Sequence, residues 1–146
     1  MPTQAEQHLQ LTVKADAAGI GNLMSQVRAK LLSWAVPAAV AHEILIITDE
    51  LASNIVRHAW HDGTEHFFTY ALSLQPFRTG SEISVRLRDN GVVFDPTQHT
   101  PTELDKAIDE RTLGGNGLAL VQGLADNLQY CRSSGENHVR VTRSFP

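Results

Sequence analysis

The sequence has 146 residues, of which 42% are hydrophobic and 19% are charged, and its formal net charge at pH 7 is −4. This composition is that of an ordinary globular protein, and the length predicts a single domain over residues 1–146. The mild negative charge argues against direct binding to nucleic acid or to an anionic membrane surface. Because the sequence shows neither an apolar run of about 18 residues nor a secretory signal, we expect a cytoplasmic protein.

The first half of the chain predicts one strand followed by two helices. Apolar residues alternate with polar ones over residues 9–13, which predicts a strand. Apolar side chains at three-and-four spacing then predict an amphipathic helix over about residues 17–35. A second helix is expected to begin at Pro37, whose missing N–H is harmless in a first turn, and to run to about Trp60.

The second half of the chain predicts strands, one long loop and a further helix. In chain order the predicted elements are strands over residues 67–74 and 83–87, a short helix near 102–111, a helix over about 118–126, and strands over 128–132 and 138–143. The loop of roughly 20 residues after the second of these strands is long for a compact domain, which indicates a functional role. Cys131 lies in an alternating stretch, so we expect a half-buried thiol in a strand.

The order of these elements predicts the fold class. Consecutive strands are expected to lie side by side through hairpins, and the helices must bury their apolar faces against the sheet that results. We therefore expect an α/β (α+β) two-layer sandwich, in which a mostly antiparallel, mixed sheet is covered on one face by three helices.

The second helix carries a polar stripe. At 3.6 residues per turn Glu50, Asn54 and Arg57 share one face, with His61 one turn further on. An amide oxygen is a suitable ligand for Mg²⁺, and a carboxylate one turn away can accept a proton from a hydroxyl that attacks a phosphate. Taken alone, the stripe is better explained as a solvated helix face.

An Asp-Asn-Gly sequence follows the strand over residues 83–87. A carboxylate at this position, Asp89, can accept a hydrogen bond from an adenine amino group, and Gly91 allows the backbone to lie close to a flat base. An ordinary turn explains the same three residues.

A glycine-rich segment leads into the last predicted helix. Residues 114–118 read Gly-Gly-Asn-Gly-Leu. Free N–H groups at a helix N-terminus form an anion site, and glycines allow phosphate oxygens to approach. A flexible loop before a helix is the simpler alternative. All three motifs in one fixed order are much harder to obtain by chance than any one of them, so the combination favours a nucleotide site.

With these motifs the sequence resembles the GHKL ATPase/kinase superfamily and its Bergerat-type nucleotide fold. The second helix resembles the N box, Asp89–Gly91 the G1 box and Gly115–Gly117 the G2 box. Within the superfamily the chain is most similar to the anti-sigma-factor serine kinases, on the form of Asn54–Ala59, the Gly91–Pro96 extension and the standalone length. The resemblance covers nearly the whole chain.

Transferred position by position, the resemblance implies that Asn54 binds Mg²⁺ and that Glu50 is the general base. It implies that Asp89 hydrogen-bonds the adenine of ATP, with Gly91 packed beneath the base. The remaining nucleotide contacts that it implies are Arg57, His58, Phe94, Gly114, Gly115, Asn116, Gly117 and Leu118.

The resemblance further implies that residues 95–113 form a lid over ATP, from which Arg111 would reach the γ-phosphate, although no motif fixes that residue. Two positions depart from the family pattern. Val93 stands where a second glycine is usual, and Asn116 replaces the more frequent residues between the last two glycines. Neither change removes a predicted metal ligand or base.

The function implied by the resemblance is transfer of the γ-phosphoryl group of Mg·ATP to a serine or threonine of a STAS-type anti-sigma antagonist. The same protein would sequester a sigma factor, and the resemblance also implies a possible homodimer. The alternative is a non-catalytic protein-binding module, in which nucleotide only sets the affinity for a partner or plays no part at all. Substitution of Glu50 distinguishes the two, because it should abolish phosphorylation and spare binding. A histidine kinase or a topoisomerase-type ATPase would need a phosphoacceptor helix pair or a transducer domain, neither of which the sequence predicts.

Overall fold

The computed structural model describes residues 6–98 and 117–146, which form five strands, three α-helices and one 3₁₀ turn. The strands are β1 (Gln7–Lys14), β2 (Phe67–Phe77), β3 (Gly80–Asp89), β4 (Asn127–Ser133) and β5 (Glu136–Phe145); the helices are α1 (Ala17–Ser33), α2 (Ala38–His58) and α3 (Gly117–Leu124), and the 3₁₀ turn is Pro96–Gln98. The predicted short helix near residues 102–111 lies outside the described residues. In the described ranges no helix is long and apolar enough to cross a membrane.

The strands form one sheet in the order β1-β2-β3-β5-β4. All four pairings between the described strands are antiparallel, so the expected mixed sheet has no parallel pair here. The β4–β5 hairpin is tighter than the sequence predicted. Its two turn residues, Ser134 and Gly135, both have positive φ, which suits the right-handed twist of the flanking strands. Asn137, expected in a loop, therefore lies in β5.

The helices cover one face of the sheet, as predicted, and the hydrophobic core lies between the two layers. Asp16 caps α1 by accepting a hydrogen bond from the Gly19 N–H at 2.7 Å, which satisfies a donor left free at the helix start. The largest fully buried side chains come from both layers: Leu23, Val27, Leu31, Ile44, Ile47 and Val121 from the helices, and Phe68, Tyr70, Leu72, Ile83, Val85 and Val141 from the sheet.

Two polar contacts fix α2 against the sheet. The hydroxyls of Thr48 and Tyr70 share a buried hydrogen bond of 2.8 Å, and Arg143 donates to Glu43 at 2.8 Å. A buried hydroxyl that lacked a partner would be costly, so the first contact strongly favours one helix register. In that register the C-terminal half of α2 lies beside the last residues of β3 and the first of β5.

Candidate nucleotide-binding site

A pocket opens between the C-terminal half of α2 and the neighbouring ends of β3 and β5. It is lined by Leu51, Asn54, Ile55, His58, Ala59, Leu87, Asp89, Val92, Phe94, Pro96, Asn137 and Val139. The structure thus brings together four residues that the sequence assigned to nucleotide binding: Asn54, His58, Asp89 and Phe94. Apolar walls with a few polar groups are typical of a small-molecule site.

Asp89 is held rigidly at the end of β3. It is 6% exposed, and its Oδ1 accepts hydrogen bonds from the Gly91 N–H at 2.9 Å and from Asn137 Nδ2 at 3.0 Å. Both described hydrogen bonds fall on the same oxygen. A carboxylate fixed in this way can present its other oxygen to a donor such as an exocyclic amino group without reorganising.

Gly91 is required for the close approach of its loop to α2. A Cβ atom at this position would lie 2.6 Å from Cα of Ala59 and would collide with other Ala59 atoms. The next residue, Val92, donates its N–H to the Ala59 carbonyl at 2.8 Å. The predicted contact between Gly91 and an adenine remains a prediction, whereas the packing of Gly91 on α2 is a feature that the sequence motif did not indicate.

Asn137 was missed by the sequence analysis, and it organises the polar side of the pocket. It is 3% exposed, and its Nδ2 donates to Asp89 and, at 2.7 Å, to the Val92 carbonyl. Its Oδ1 accepts from the Tyr130 hydroxyl at 2.6 Å and from the Phe94 N–H at 3.5 Å. Only the pairing of Asp89 with Asn137 across β3 and β5 reveals this role, and no local sequence signal sets that register.

The segment after Gly91 forms another wall of the pocket. The rings of Phe94 and His58 stack with centroids 4.8 Å apart and planes within 10°. Asp95 caps the following 3₁₀ turn, since its Oδ1 accepts from the Thr97 N–H at 2.8 Å and from the Thr97 hydroxyl at 2.6 Å. Phe94, Asp95 and Pro96 therefore also have a structural role, because the turn that they begin brings the chain back beside β4.

The Asn54 amide is the candidate Mg²⁺ ligand. It is 6% exposed; its Oδ1 accepts a hydrogen bond from Arg57 Nη2 at 2.6 Å, and its Nδ2 has no hydrogen-bond partner among the described residues. The unsatisfied Nδ2 is a hydrogen-bond donor, so an acceptor such as a phosphate oxygen would satisfy it, whereas a metal ion would bind the Oδ1 end. The donor set fits a magnesium–phosphate group, because a hard oxygen, a carboxylate and a guanidinium lie along one helix face.

Glu50 lies one turn before Asn54 and next to the start of α3. Burial raises the pKa of the Glu50 carboxyl, the neighbouring Asp49 charge raises it further, and Arg57 opposes both effects. A Cβ atom at Gly117 would lie 2.7 Å from Cδ of Glu50, so a larger residue there would push the Glu50 carboxylate out of its present position. A carboxylate with a raised pKa is better matched to proton transfer near neutral pH than an ordinary glutamate.

Some of the remaining predicted site residues lie in the part of the chain that the structure describes, and others lie outside it. Arg111, Gly114, Gly115 and Asn116, with most of the predicted lid, lie outside the described residues. Leu118 is 3% exposed and packs in the core, so any contribution it makes to the site comes from its backbone.

The fold and the pocket define a class of protein, the two-layer α+β domain with a pocket between a helix and the ends of antiparallel strands. The chain belongs to the family described as the histidine kinase-like ATPase domain, whose profile matches residues 13–143. This confirms the superfamily that the three motifs indicated.

Known relatives agree with this assignment. The chain is 34% identical over 105 residues to the serine/threonine-protein kinase BtrW of Bordetella bronchiseptica. The aligned region covers 72% of this chain and 71% of BtrW. Its fold is similar to SiaB–SiaC of Pseudomonas aeruginosa, with a TM-score of 0.65, 14% identity and coverage of 92% of this chain and 88% of that one. It is also similar to the RsbU and RsbW domains of Rv1364c from Mycobacterium tuberculosis, with a TM-score of 0.62, 16% identity and 96% coverage of this chain. The match spans 33% of that longer chain.

Proposed function

We propose that this protein is an ATP-dependent serine/threonine kinase that phosphorylates a STAS-type antagonist and regulates a sigma factor by exchanging partners. The observation that carries the proposal is that the Glu50–Asn54–Arg57 stripe of α2 continues directly into the Asp89 pocket. One helix thereby presents a base, a metal ligand and a cation beside a mostly apolar pocket that has the Asp89 carboxylate in its lining. The similarity to a relative named a serine/threonine-protein kinase supports the same reaction.

The base of ATP is placed by the pocket. Asp89 accepts a hydrogen bond from the adenine amino group, while Asn137 prevents the carboxylate from turning away. The apolar walls, including the stacked rings of His58 and Phe94, exclude water from this contact and strengthen it. Adenine binding then fixes where the triphosphate meets the polar stripe.

The phosphates and the metal meet Asn54 and Arg57. The Asn54 oxygen would hold Mg²⁺, which when bound neutralises charge on the phosphate oxygens. Arg57 donates to Asn54 Oδ1, and a phosphate oxygen would be a stronger partner for its guanidinium than this neutral amide. If Arg57 turned to the triphosphate, the Asn54 amide oxygen would be left to hold the metal.

Glu50 accepts the proton of the substrate hydroxyl. The hydroxyl oxygen forms a bond to the γ-phosphorus as the bond from that phosphorus to the β–γ bridging oxygen breaks, and ADP leaves. The protein contributes position, charge neutralisation and a proton acceptor.

The experiment that tests the proposal has two stages. Calorimetry with Mg·ATP is expected to give Mg²⁺-dependent binding by the wild type that is lost in Asn54→Ala and Asp89→Asn, and retained in the control Asn127→Ala at the exposed start of β4. Phosphoryl transfer from labelled ATP to a purified STAS-domain protein is then measured with Glu50→Gln, which should bind ATP and transfer nothing.

The two stages separate the kinase from its alternative. If a well-folded wild type binds no nucleotide, both the kinase and the nucleotide-gated module are wrong, and a module that binds its partner without nucleotide is left. If it binds ATP but transfers no phosphate to any STAS-domain or sigma-factor partner that it binds, the non-catalytic module is right. The cytoplasmic location and the homodimer expected from the sequence remain predictions.

A further inference from the structure

The face of the sheet opposite the helices carries a cluster of basic side chains on two neighbouring strands. Arg86 of β3 lies directly across from Arg140 of β5, and Arg88 lies directly across from His138. These two cross-strand pairs are two residues apart along β3, so all four side chains point to the same side of the sheet. We call the four residues the basic cluster.

The positive charge of the basic cluster is only partly neutralised by neighbouring carboxylates. Like charges directly opposite each other on adjacent strands destabilise a sheet, so the Arg86–Arg140 pair is expected to lower the stability of the fold. Within the described residues the one carboxylate in reach is Glu136, whose oxygens lie 3.7 Å from Arg88 and 3.8 Å from His138. Arg86 forms no ion pair with a described residue, in a chain whose formal net charge is −4.

Arg140 is only partly satisfied. Its Nη2 donates to the Ser84 hydroxyl at a long 3.4 Å, and its Nε is buried without a partner among the described residues. A buried guanidinium N–H that lacks an acceptor is costly unless a ligand completes it.

The cluster lies in a groove across this face. The groove is lined by Gln10, Thr69, Ala71, Arg86, Leu87, Arg88, Thr97, Leu128, Gln129, Tyr130, Cys131, His138, Val139 and Arg140. Ala71 and Thr69 lie beside Arg86 and Arg88 on β2, and these two arginines are exposed, whereas Arg140 is half-buried. Cys131, expected to be half-buried, is exposed on this face because β4 is an edge strand and no helix in the described ranges covers this side.

We propose that this groove binds an extended acidic segment of a protein partner. The two basic pairs are about 6.8 Å apart along the strand direction, which is the spacing of alternate side chains in an extended peptide. A segment with carboxylates at every second residue therefore places one carboxylate on each pair, and arginine forks bind carboxylates with two hydrogen bonds.

A protein segment fits this face better than a nucleic acid. A long polyanion would extend beyond the groove over a chain with a net negative charge, whereas a short segment ends within it. Stacking of bases also needs accessible aromatic rings, and the one aromatic residue in the described lining, Tyr130, is bonded to Asn137. The proposal does not depend on kinase activity, because the groove and the nucleotide pocket lie on opposite faces of the sheet.

The test uses a fluorescent ten-residue peptide with glutamate at alternate positions, and a matched peptide with glutamine in place of glutamate. Fluorescence anisotropy at low salt is expected to show binding of the glutamate peptide only. The double variant Arg86→Gln/Arg140→Gln should weaken binding by about tenfold or more, since two charge-assisted contacts are lost. The matched control Arg28→Gln/Arg78→Gln removes the same charge from exposed positions outside the groove and should leave affinity within about twofold.

Three results would overturn the proposal. The first is that the two double variants bind the glutamate peptide equally well. The second is that the wild type binds a single-stranded oligonucleotide more tightly than the glutamate peptide. The third is that the wild type sediments as a dimer and Arg86→Gln/Arg140→Gln sediments as a monomer. The last result would make the groove a contact between copies of the chain. Calorimetry with Mg·ATP on the same variants should give wild-type affinity, so failure here is distinguishable from failure of the kinase proposal.

Discussion

At the scale of single residues, the candidate site depends on buried polar groups whose partners are supplied by other elements. Asp89, Asn137 and Tyr130 come from three different strands and form one hydrogen-bonded chain. Such networks are stable when every member is satisfied and costly when one is removed. Asn137 is the member with the most contacts, since its amide bonds Asp89, Val92, Phe94 and Tyr130.

Asn137→Ala should lower both stability and nucleotide affinity. The substitution leaves the Val92 carbonyl and the Tyr130 hydroxyl without their partner, and we expect a loss of about 2–4 kcal/mol in the free energy of unfolding. Urea denaturation measures that loss, and calorimetry measures the fall in ATP affinity. The control Asn127→Ala should stay within about 0.5 kcal/mol of wild type. Equal values for the two variants would show that the network does not hold the pocket.

The pH dependence of phosphoryl transfer should follow the raised pKa of Glu50. Only the deprotonated carboxylate accepts a proton, so the rate should rise with pH through a pKa above the ordinary 4.5. Asp49→Asn removes the like charge that raises this pKa and should therefore move the acidic limb of the profile to lower pH. Single-turnover rates over a pH series measure the limb. A limb that stays in place in Asp49→Asn, or moves equally in Glu82→Gln, would contradict the assignment of Glu50 as base.

At the scale of elements, the site depends on close packing between the end of α2 and the loop after β3. Gly91 lies against Ala59, and the backbone hydrogen bond from Val92 to Ala59 joins the two segments. The loop from α2 to β2 is organised separately: Trp60 stacks on His66 with centroids 4.5 Å apart, and Trp60 Nε1 donates to Asn90 Oδ1 at 3.1 Å. Both features hold the Asp89 loop in place from the α2 side.

Gly91→Ala should destabilise the fold through this contact. A methyl group there meets backbone atoms that cannot move independently, so we expect a loss of about 1–3 kcal/mol and weaker ATP binding. The matched control is Gly21→Ala in the exposed second turn of α1, where an added Cβ has nothing within 4 Å. There alanine should stabilise the helix by about 0.5–1 kcal/mol. Thermal and urea unfolding of the two variants should thus shift in opposite directions, and a shift of both in the same direction would refute the packing argument.

Acid should weaken the α2–β2 loop through Asp62. Its pKa is lowered from 3.8 to about 2, first by the hydrogen bond from the Thr64 N–H and then by His66 and the Thr64 hydroxyl. Because the folded-state pKa lies below the unfolded one, this contribution is present above pH 3.8 and is lost as the pH falls to about 2. Asp62→Asn should therefore have a lower thermal midpoint than wild type near neutral pH, with the gap closing in acid. A gap that is constant with pH would rule out this linkage.

At the scale of the whole molecule, one pocket links the two layers of the sandwich. Its lining comes from α2, β3, the following loop and β5, so a ligand bound there stabilises the assembled fold and not any single element. The ion pair between Glu43 and Arg143 and the buried Thr48–Tyr70 bond already join the same layers.

Mg·ATP should therefore raise the thermal midpoint of the wild type. At a free concentration about 100-fold above Kd, binding to the native state alone adds about 2.7 kcal/mol of stability. Differential scanning calorimetry with and without nucleotide measures the shift. Asp89→Asn should show no shift under the same conditions, because the adenine contact is lost. An undiminished shift in that variant would place the nucleotide elsewhere on the molecule.

Local sequence patterns predicted the elements of the fold because each is decided by neighbours in the chain. The three-and-four spacing of α1 and α2 and the alternation of the strands follow from burial of one face, which short-range periodicity records. The polar stripe on α2 was predictable for the same reason, since Glu50, Asn54 and Arg57 are placed by helix geometry alone. The ends of the strands were predicted less accurately. β2 continues to Phe77 and not only to residue 74, and β3 already begins at Gly80 and not at residue 83, because the two strands pair with each other beyond the region of clear alternation.

The sequence by itself therefore determined the two-layer class, the helix stripe and the Asp-x-Gly motif of this protein. Only the tertiary structure decided that β3 lies beside β5, and with it both the Asn137 network behind Asp89 and the basic cluster on the opposite face. The physical reason is the same in each case. Periodicity specifies which face of a strand is buried, but the identity and register of a strand's neighbour depend on contacts between residues about 50 positions apart, which no local pattern encodes.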